Sequence, residues 1–136
     1  MKPLLVASCL ALVLGGSAAA EDPAIGLTPD QMTFGDAGGL REAAVVAGDP
    51  SRDGQYVVRL RVPPNSTTMP HTHAQAESVT VISGAIGFGL GGVFDRSKGR
   101  ILPAGSFLYL PANMPHFAWT GEEGAVIQAH GTGPFP

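Results

Sequence analysis

The chain has 136 residues, of which eight are basic and eleven are acidic, and its formal net charge is −3. This balance excludes the basic surface that a nucleic-acid-binding protein needs, so we expect no nucleic-acid partner. Cys9 is the only cysteine, so no disulfide can form within the chain, and stability must come from a hydrophobic core or from a bound metal.

Residues 1–20 have the pattern of a secretory signal peptide, with a positive start, a twelve-residue apolar run and then small residues up to Ala20. A membrane anchor is the alternative, but the apolar run is shorter than the ~20 residues that a spanning helix needs. We therefore expect cleavage before Glu21 and a periplasmic or secreted protein without a stable membrane span. The mature part, residues 21–136, has the length of one domain and a formal charge of −4.

Short strand-like segments, separated by glycine and proline, follow one another along the mature part of the chain. Glycine and proline together make 31 of the 136 residues, and no segment keeps a helical period for three turns. The predicted strands, in chain order, are 32–34, 43–47, 56–62, 67–73, 77–82, 85–90, 100–102, 107–110, 117–120 and 125–130. The predicted turns between them include Ser83-Gly84 and 121–124. This spacing is typical of a sandwich or barrel and predicts an all-β fold built as a double-sheet roll.

Four side chains of the kinds that bind metals, His71, His73, Glu77 and His116, carry the strongest chemical signal. His71 and His73 are two residues apart, so on a strand both imidazoles project from one face. Glu77 follows after a turn and shares a face with the apolar residues of its own strand. His116 lies far downstream, so the four side chains can meet only in a folded sheet. Three imidazoles and a carboxylate suit one divalent first-row transition metal (Mn, Fe, Co, Ni, Cu or Zn) better than Mg or Ca.

Such a site has a predicted pH dependence. Metal binding requires neutral imidazoles and an ionised Glu77, and the reference pKa of histidine is ~6.5. Metal affinity is therefore expected to fall below about pH 6. The alternative interpretation is that these four residues are only surface or core polar groups, which is common for a single histidine but not for four together.

His130 is a further candidate, close to the end of the chain. It shares a strand face with Gln128. If that face points inward, His130 would act as a catalytic acid or base, or as a hydrogen-bond donor to a metal ligand. A solvent-exposed histidine at the edge of a loop is an equally weighted alternative.

The spacing of these residues resembles the two motifs of the cupin family. The first motif is Gly, five residues, His-x-His, three or four residues, Glu, six residues and Gly. Its positions correspond here to Asn65, His71, His73, Glu77 and Gly84. The second motif is Gly, five residues, Pro-x-Gly, two residues, His, three residues and Asn. Its positions correspond to Gly105, Pro111, Asn113, His116 and Thr120.

Three residues depart from the family pattern. Asn65 and Asn113 stand where the motifs have glycine, and Thr120 stands where the second motif has asparagine. Asparagine is the residue that most readily replaces glycine in a left-handed backbone conformation, so the first two departures are mild. Thr120 is not one of the ligand positions and affects the resemblance little.

The resemblance implies a small exported bacterial cupin, with its motifs within residues 65–120 of a double-stranded β-helix, or jelly-roll, barrel. It implies that His71, His73, Glu77 and His116 are the metal ligands inside that barrel. In a six-coordinate site, two positions would stay open for water, dioxygen or a bidentate organic acid. It also implies a possible homodimer formed through sheet edges.

Two functions from different classes are compatible with these residues. The first is a metal-dependent enzyme of the oxygenase, decarboxylase or isomerase type that acts on a small oxygen-rich organic molecule. The second is a non-catalytic binding module, a sensor or carrier of a metal or of a metal–ligand complex. A metal-free barrel that binds sugars or small acids is a third, less favoured interpretation, because it leaves all four ligand-type residues without a role.

Overall fold

The computed structural model describes residues 23–39 and 41–135, and the predicted signal peptide lies outside them. Within these ranges the chain forms two short 3-10 turns, Pro29–Gln31 and Arg96–Lys98, and eight strands. The strands are β1 (Gly35–Asp36), β2 (Glu42–Ala47), β3 (Gly54–Val62), β4 (Thr67–His71), β5 (Glu77–Leu90), β6 (Arg100–Pro103), β7 (Phe107–Leu110) and β8 (His116–Gly133). No helix in the described part of the chain is long and apolar enough to cross a membrane.

Two long strands, β5 and β8, organise the sheet. They pair with each other along most of their length, and every strand pair in the sheet is antiparallel. The first sheet contains the start of β5 and the end of β8, with β7 beside β5 and with β3, β2 and β1 in that order beside β8. The second sheet contains the end of β5 and the start of β8, with β6 beside β5 and β4 beside β8. The result is two sheets that share β5 and β8, which confirms the predicted all-β double-sheet roll. Among the described residues, strand pairing does not close the sheet into a complete barrel, since one edge of each of β1, β4, β6 and β7 has no partner strand there.

Two predicted turns are wrong, because both segments lie inside long strands. β5 runs through Ser83-Gly84, and β8 runs through 121–124. The pairing of β5 with β8 shifts register on either side of Ser83-Gly84, and Gly84 has a φ of 68°. Ser83 and Gly84 therefore form part of a β-bulge, which bends a strand without reversing it. The bend lets β5 and β8 pass from one sheet to the other.

One predicted strand is absent from the structure, and another ends before the residue that matters for the site. The expected strand at 32–34 is not formed, and the first paired residues are those of β1. Phe34 instead lies beneath Arg61, whose guanidinium carbon is 3.6 Å from the centre of the phenyl ring. β4 ends at His71, two residues earlier than predicted, so His73 belongs to the following turn.

The hydrophobic core lies between the two sheets and receives side chains from both. Its buried residues are Val79, Val81, Ile86, Phe88, Leu102, Leu110, Ala125, Ile127 and Ala129. Core residues of one sheet therefore lie close to those of the other, and one continuous interior holds the fold together. The candidate site lies at the border of this interior.

Both asparagines that replace motif glycines have the backbone conformation that the substitution predicts. Asn65 has a φ of 53° and Asn113 a φ of 60°, both in the left-handed region. Thr120 is buried, donates a hydrogen bond from its hydroxyl to the Pro63 carbonyl (2.6 Å) and accepts one from the Ser66 amide (2.9 Å). It thereby attaches the turn between β3 and β4 to β8. The three departures from the motifs are all accommodated without a change of fold.

Candidate metal centre

His71 and His116 are direct neighbours across two paired strands. His71 is the last residue of β4 and pairs with His116, the first residue of β8. Their ring centres are 4.3 Å apart. His116 is buried, whereas His71 is exposed. The pair therefore extends from the core to the surface, and His71 gives solvent access to the site.

Backbone carbonyls orient both of these rings. The Nδ1 atom of His71 lies 2.8 Å from the carbonyl oxygen of Met69, and the Nδ1 atom of His116 lies 2.9 Å from that of Met114. A carbonyl oxygen can only accept, so Nδ1 donates in both contacts. The Nε2 atom of each neutral ring then keeps a free lone pair. This is the arrangement in which metal-binding histidines are normally held.

His73 joins the pair from the turn that follows β4. Its carbonyl oxygen accepts a hydrogen bond of 2.7 Å from the amide of Asn113, the residue with positive φ in the second motif. Its ring centre is 4.9 Å from that of His71 and 5.1 Å from that of His116. One ring nitrogen from each of the three histidines lies within 4.8 Å of the others, so a single ion could contact all three.

Glu77 stands beside this cluster and contacts one member of it. Glu77 is the first residue of β5, and one carboxyl oxygen lies 3.5 Å from Nδ1 of His73. That nitrogen is buried and forms no hydrogen bond with any described residue. The three histidines form the cluster without the carboxylate. The structure thus brings the four predicted ligands to one place, with Glu77 at its margin.

Burial shifts the pKa values of Glu77, His73 and His116 so that their neutral forms are favoured. It raises the pKa of the Glu77 carboxyl to about 7. Burial, followed by the charges of His71 and His116, lowers the pKa of His73 to about 4. Burial also lowers the pKa of His116, although the hydrogen bond to Met114 opposes it. The contact between His73 and Glu77 is therefore between two neutral groups near pH 6, not an ion pair.

These residues fit a divalent transition metal. Neutral imidazoles are the form in which histidine binds metals, and the low pKa values of His73 and His116 preserve that form. Among the described residues, the buried Nδ1 of His73 has no hydrogen-bond partner. The Nε2 atoms of His71 and His116 keep free lone pairs, because the Nδ1 atoms of these rings are already hydrogen-bonded to carbonyls. A cation could accept the lone pairs of all three rings. His71, His73 and His116 would hold the ion, with Glu77 as the predicted fourth ligand.

A cavity of about 700 Å³ adjoins the cluster, and all four predicted ligands line it. Most of its remaining wall is apolar and comes from the core strands, for example Val58, Leu60 and Phe88. A cavity of this size can hold a small organic molecule. The polar atoms of the ligand set are concentrated at one part of the wall, so a bound molecule would be oriented by that part.

His130 does not lie at this site. It is exposed on the outer face of the sheet, where the amide nitrogen of Gln128 donates to its Nε2 atom over 3.2 Å. The oxygen of the same Gln128 amide accepts hydrogen bonds from Nε and Nη2 of Arg59 (3.1 and 2.6 Å). Of the two orientations considered for His130, the structure has the solvent-exposed one, because Ile127 and Ala129 take the inner positions of this strand.

Two cavity residues were missed by sequence reasoning. Tyr56 is buried and lines the cavity, and Phe135 lines it from the C-terminal segment. Tyr56 carried a signal, because it continues the alternation of the inward-facing Val58 and Leu60 on the same strand. Phe135 carried none, since it lies after the last strand, where no period applies.

The raised pKa of Glu77 makes a prediction for the metal-free protein. In the unfolded chain this carboxyl ionises near 4.5, and in the folded protein near 7. As the pH rises from 4.5 to 7, the folded state keeps a proton that the unfolded state loses, so stability falls. Glu77→Gln removes this effect and should stabilise the metal-free protein at pH 8 by up to roughly 3 kcal/mol, but little at pH 4.5.

Urea unfolding in the presence of a chelator, at pH 4.5 and at pH 8, measures this difference. The low pKa of His73 acts in the opposite direction, but it is present in both proteins and cancels in the comparison. Glu122→Gln, at an exposed position, is the matched control and should show no pH-dependent difference. A stability difference for Glu77→Gln that is the same at both pH values would contradict the buried, protonated carboxyl.

No protein-family model matches the chain, and no curated protein matches it in sequence. Solved structures with the same fold do. KdgF from Halomonas sp. is 19% identical with a TM-score of 0.65 and covers 82% of this chain and 96% of its own. The polyketide cyclase RemF from Streptomyces resistomycificus is 18% identical with a TM-score of 0.70, covering 84% and 82%.

Further similar structures include a protein described as a cupin and proteins described with a metal. An RmlC-like cupin from Shewanella frigidimarina is 17% identical with a TM-score of 0.64, covering 78% of this chain and 87% of its own. Oxalate decarboxylase from Bacillus subtilis, described with Mn(II) centres, has a TM-score of 0.51 and an identity of 23%, covering 68% and 24%. FeII HppE has a TM-score of 0.61 and an identity of 18%, covering 82% and 62%. With its double-sheet roll and these structural relatives, the chain has the cupin fold.

Proposed function

We propose that the chain is an exported metalloenzyme of cupin fold that acts on a small, oxygen-rich organic molecule. In this proposal His71, His73, His116 and Glu77 hold one divalent first-row metal, Fe, Mn, Ni, Cu or Zn. The reaction would be of the oxygenase, decarboxylase or isomerase type. The support for export is the signal-peptide pattern of residues 1–20.

One observation carries the proposal, which is that three histidine nitrogens lie within 4.8 Å of one another on the wall of a cavity of about 700 Å³. The similar structures described with Mn(II) and FeII support a redox-active ion in a protein of this fold.

The side chains of the site have separable roles in the proposed function. A bound metal of this kind supplies Lewis-acid or one-electron chemistry. The apolar wall removes a bound molecule from water, which strengthens its polar contacts with the histidine cluster. Glu77, as the carboxylate ligand, would place a negative charge beside the three neutral imidazoles and so favour a divalent cation.

A second function, a non-catalytic carrier or sensor, is favoured by a different observation. His130, the acid–base candidate of the sequence, lies on the outer face of the sheet. Among the described residues, the inner wall then offers only Glu77 and Tyr56 as proton-exchanging groups besides the histidines. A barrel that only binds a metal–ligand complex needs no more than this.

A turnover assay separates the two functions. Protein loaded in turn with Fe(II), Mn(II), Ni(II), Cu(II) and Zn(II) is incubated with a panel of diketones, phenolics and organic acids, and products are followed by mass spectrometry and oxygen uptake. The enzyme proposal expects turnover with at least one metal, lost in His71→Ala and kept in His130→Ala. Tight binding of a panel member without any turnover across all five metals would favour the carrier and contradict the enzyme.

A further inference from the structure

Tyr56 lies in a cross-strand row that leads to Glu77. Tyr56 on β3 pairs with Gly131 on β8, and Gly131 pairs with Glu77 on β5. Gly131 has no side chain, and the Tyr56 ring lies directly over it, so that a methyl group added at Gly131 would collide with the phenol. The glycine therefore allows the hydroxyl end of Tyr56 to extend across β8 toward the candidate metal centre.

The hydroxyl of Tyr56 forms no hydrogen bond with another described residue. It is not fully buried, because Nδ1 of His73 is the one fully buried side-chain atom without a partner in the described part of the chain. Tyr56 lines the cavity, so the hydroxyl has access to whatever the cavity contains. A hydroxyl that is open to the cavity and forms no hydrogen bond within the described part of the protein can donate one to a bound molecule.

Phe135 completes an aromatic wall beside His73. Its ring centre is 5.1 Å from that of His73 and 6.0 Å from that of Tyr56, in edge-to-face geometry in both cases. Its backbone amide donates a hydrogen bond of 2.6 Å to the carbonyl of Pro50, which holds the C-terminal segment against the loop that precedes β3. Phe135 thus contacts the histidine whose buried Nδ1 atom has no partner among the described residues, and Tyr56 packs against Phe135.

We propose that Tyr56 and Phe135 form an aromatic subsite that selects planar aromatic chelators of the catechol type. The Phe135 ring would pack against the ring of the ligand, and the Tyr56 hydroxyl would donate a hydrogen bond to a ligand oxygen. The ligand's paired oxygens would then face the histidine cluster. The proposal rests on the proposed function, because it assumes that the cluster holds a metal.

Binding to the zinc-loaded protein tests the subsite without redox chemistry. The probes are 4-nitrocatechol, followed by its absorbance, and oxalate, which chelates but has no ring. Phe135→Ala is expected to weaken 4-nitrocatechol binding by about three- to tenfold and oxalate binding by less than about twofold. Tyr56→Phe is expected to weaken 4-nitrocatechol binding by about three- to tenfold through the lost hydrogen bond.

Two matched controls lie on the outside of the fold. Tyr109→Phe removes the same hydroxyl, and Phe107→Ala the same ring, from side chains that are 59% and 65% exposed. Both should leave the affinities for the two probes unchanged. If Phe135→Ala does not fold, Phe135→Leu removes the aromatic ring while keeping an apolar side chain and takes its place.

Three results would overturn the subsite. These are a 4-nitrocatechol affinity within twofold of wild type in both variants, an equal loss for oxalate in Phe135→Ala, or no binding of 4-nitrocatechol by zinc-loaded wild type. Zinc content, measured on the same samples, separates failure of the aromatic subsite from failure of the proposed metal site. A wild-type protein that holds no zinc would refute the metal site itself, and the subsite with it.

Discussion

Replacing both His71 and His116 by alanine is expected to remove the bound metal from the protein. These two rings supply two of the three clustered nitrogens, and backbone carbonyls orient both. Loss of a residue that merely orients a ligand commonly lowers metal affinity 10- to 100-fold, and loss of two ligands should lower it further. Metal content should fall from near one ion per chain to less than about a tenth of that.

Mass spectrometry of the metals in purified, untagged protein measures this result. His130→Ala is the matched control, since His130 is not part of the cavity wall and its side chain forms, among the described residues, one hydrogen bond, with Gln128. The control should keep the wild-type metal content, and both variants should show cooperative thermal unfolding. Metal retained in the double variant, or lost in His130→Ala, would show that the ion binds elsewhere.

The metal found would also direct the next experiment. Iron, manganese, nickel or copper that disappears in the double variant would point the turnover panel toward redox chemistry. Zinc would point toward Lewis-acid or structural roles. Wild-type protein that binds no metal even after reloading would leave a plain binding cavity and would contradict the proposed function.

Phe117→Ala is expected to cause the largest loss of stability of any variant considered. Phe117 is fully buried on the side of β8 opposite to His116, where its ring packs against Phe94 and Trp119. Truncating a fully buried phenylalanine removes its apolar contacts and leaves a cavity, which costs about 3–5 kcal/mol. A loss of this size is a large share of the stability of an ordinary domain.

Two glycines of β5 explain why the position of Phe117 tolerates no smaller side chain without a loss of packing. A methyl group added at Gly89 would collide with the Phe117 ring, and one added at Gly87 would collide with the Trp119 ring. The two glycines therefore form sockets for the aromatic rings of β8. Because the neighbouring backbone is held in the sheet, it can move little to fill a space left by Phe117→Ala.

Urea unfolding of wild type and Phe117→Ala measures the loss. Phe107→Ala is the matched control, because Phe107 is 65% exposed on the outer face of β7 and should change stability by no more than about 0.5 kcal/mol. A loss below about 1 kcal/mol for Phe117→Ala, or an equal loss for the control, would contradict the packing described. Phe117→Ala should also weaken metal binding, since it removes support next to His116.

The position of His130 shows where sequence reasoning reaches its limit. Counting in twos from His116 along β8 places His130 on the same face as His116. In the structure the inner positions are His116 and Ala118 in the first half of the strand, but Ala125, Ile127 and Ala129 in the second half. The irregular pairing between the two halves reverses the alternation. A period of two carries no information about where such a reversal occurs.

The bends within β5 and β8 are a second feature that local sequence could not predict. Ser83-Gly84 and the segment 121–124 have the composition of turns, and sequence reasoning placed turns there. Only the pairing of β5 with β8 on both sides of these segments makes them bends within continuous strands. Because strand pairing is a contact between distant parts of the chain, local composition cannot distinguish a bulge from a turn.

The sequence by itself determined the all-β class, the cupin-like motif spacing and the identity of the candidate ligands, because strand period, turn chemistry and ligand type are local properties of the residues. It also predicted the left-handed conformation of Asn65 and Asn113. The tertiary structure alone decided that His71, His73 and His116 converge while His130 faces outward, and that Tyr56 and Phe135 stand beside the site. The reason is physical, since these distances depend on register and bulges between strands far apart in the chain.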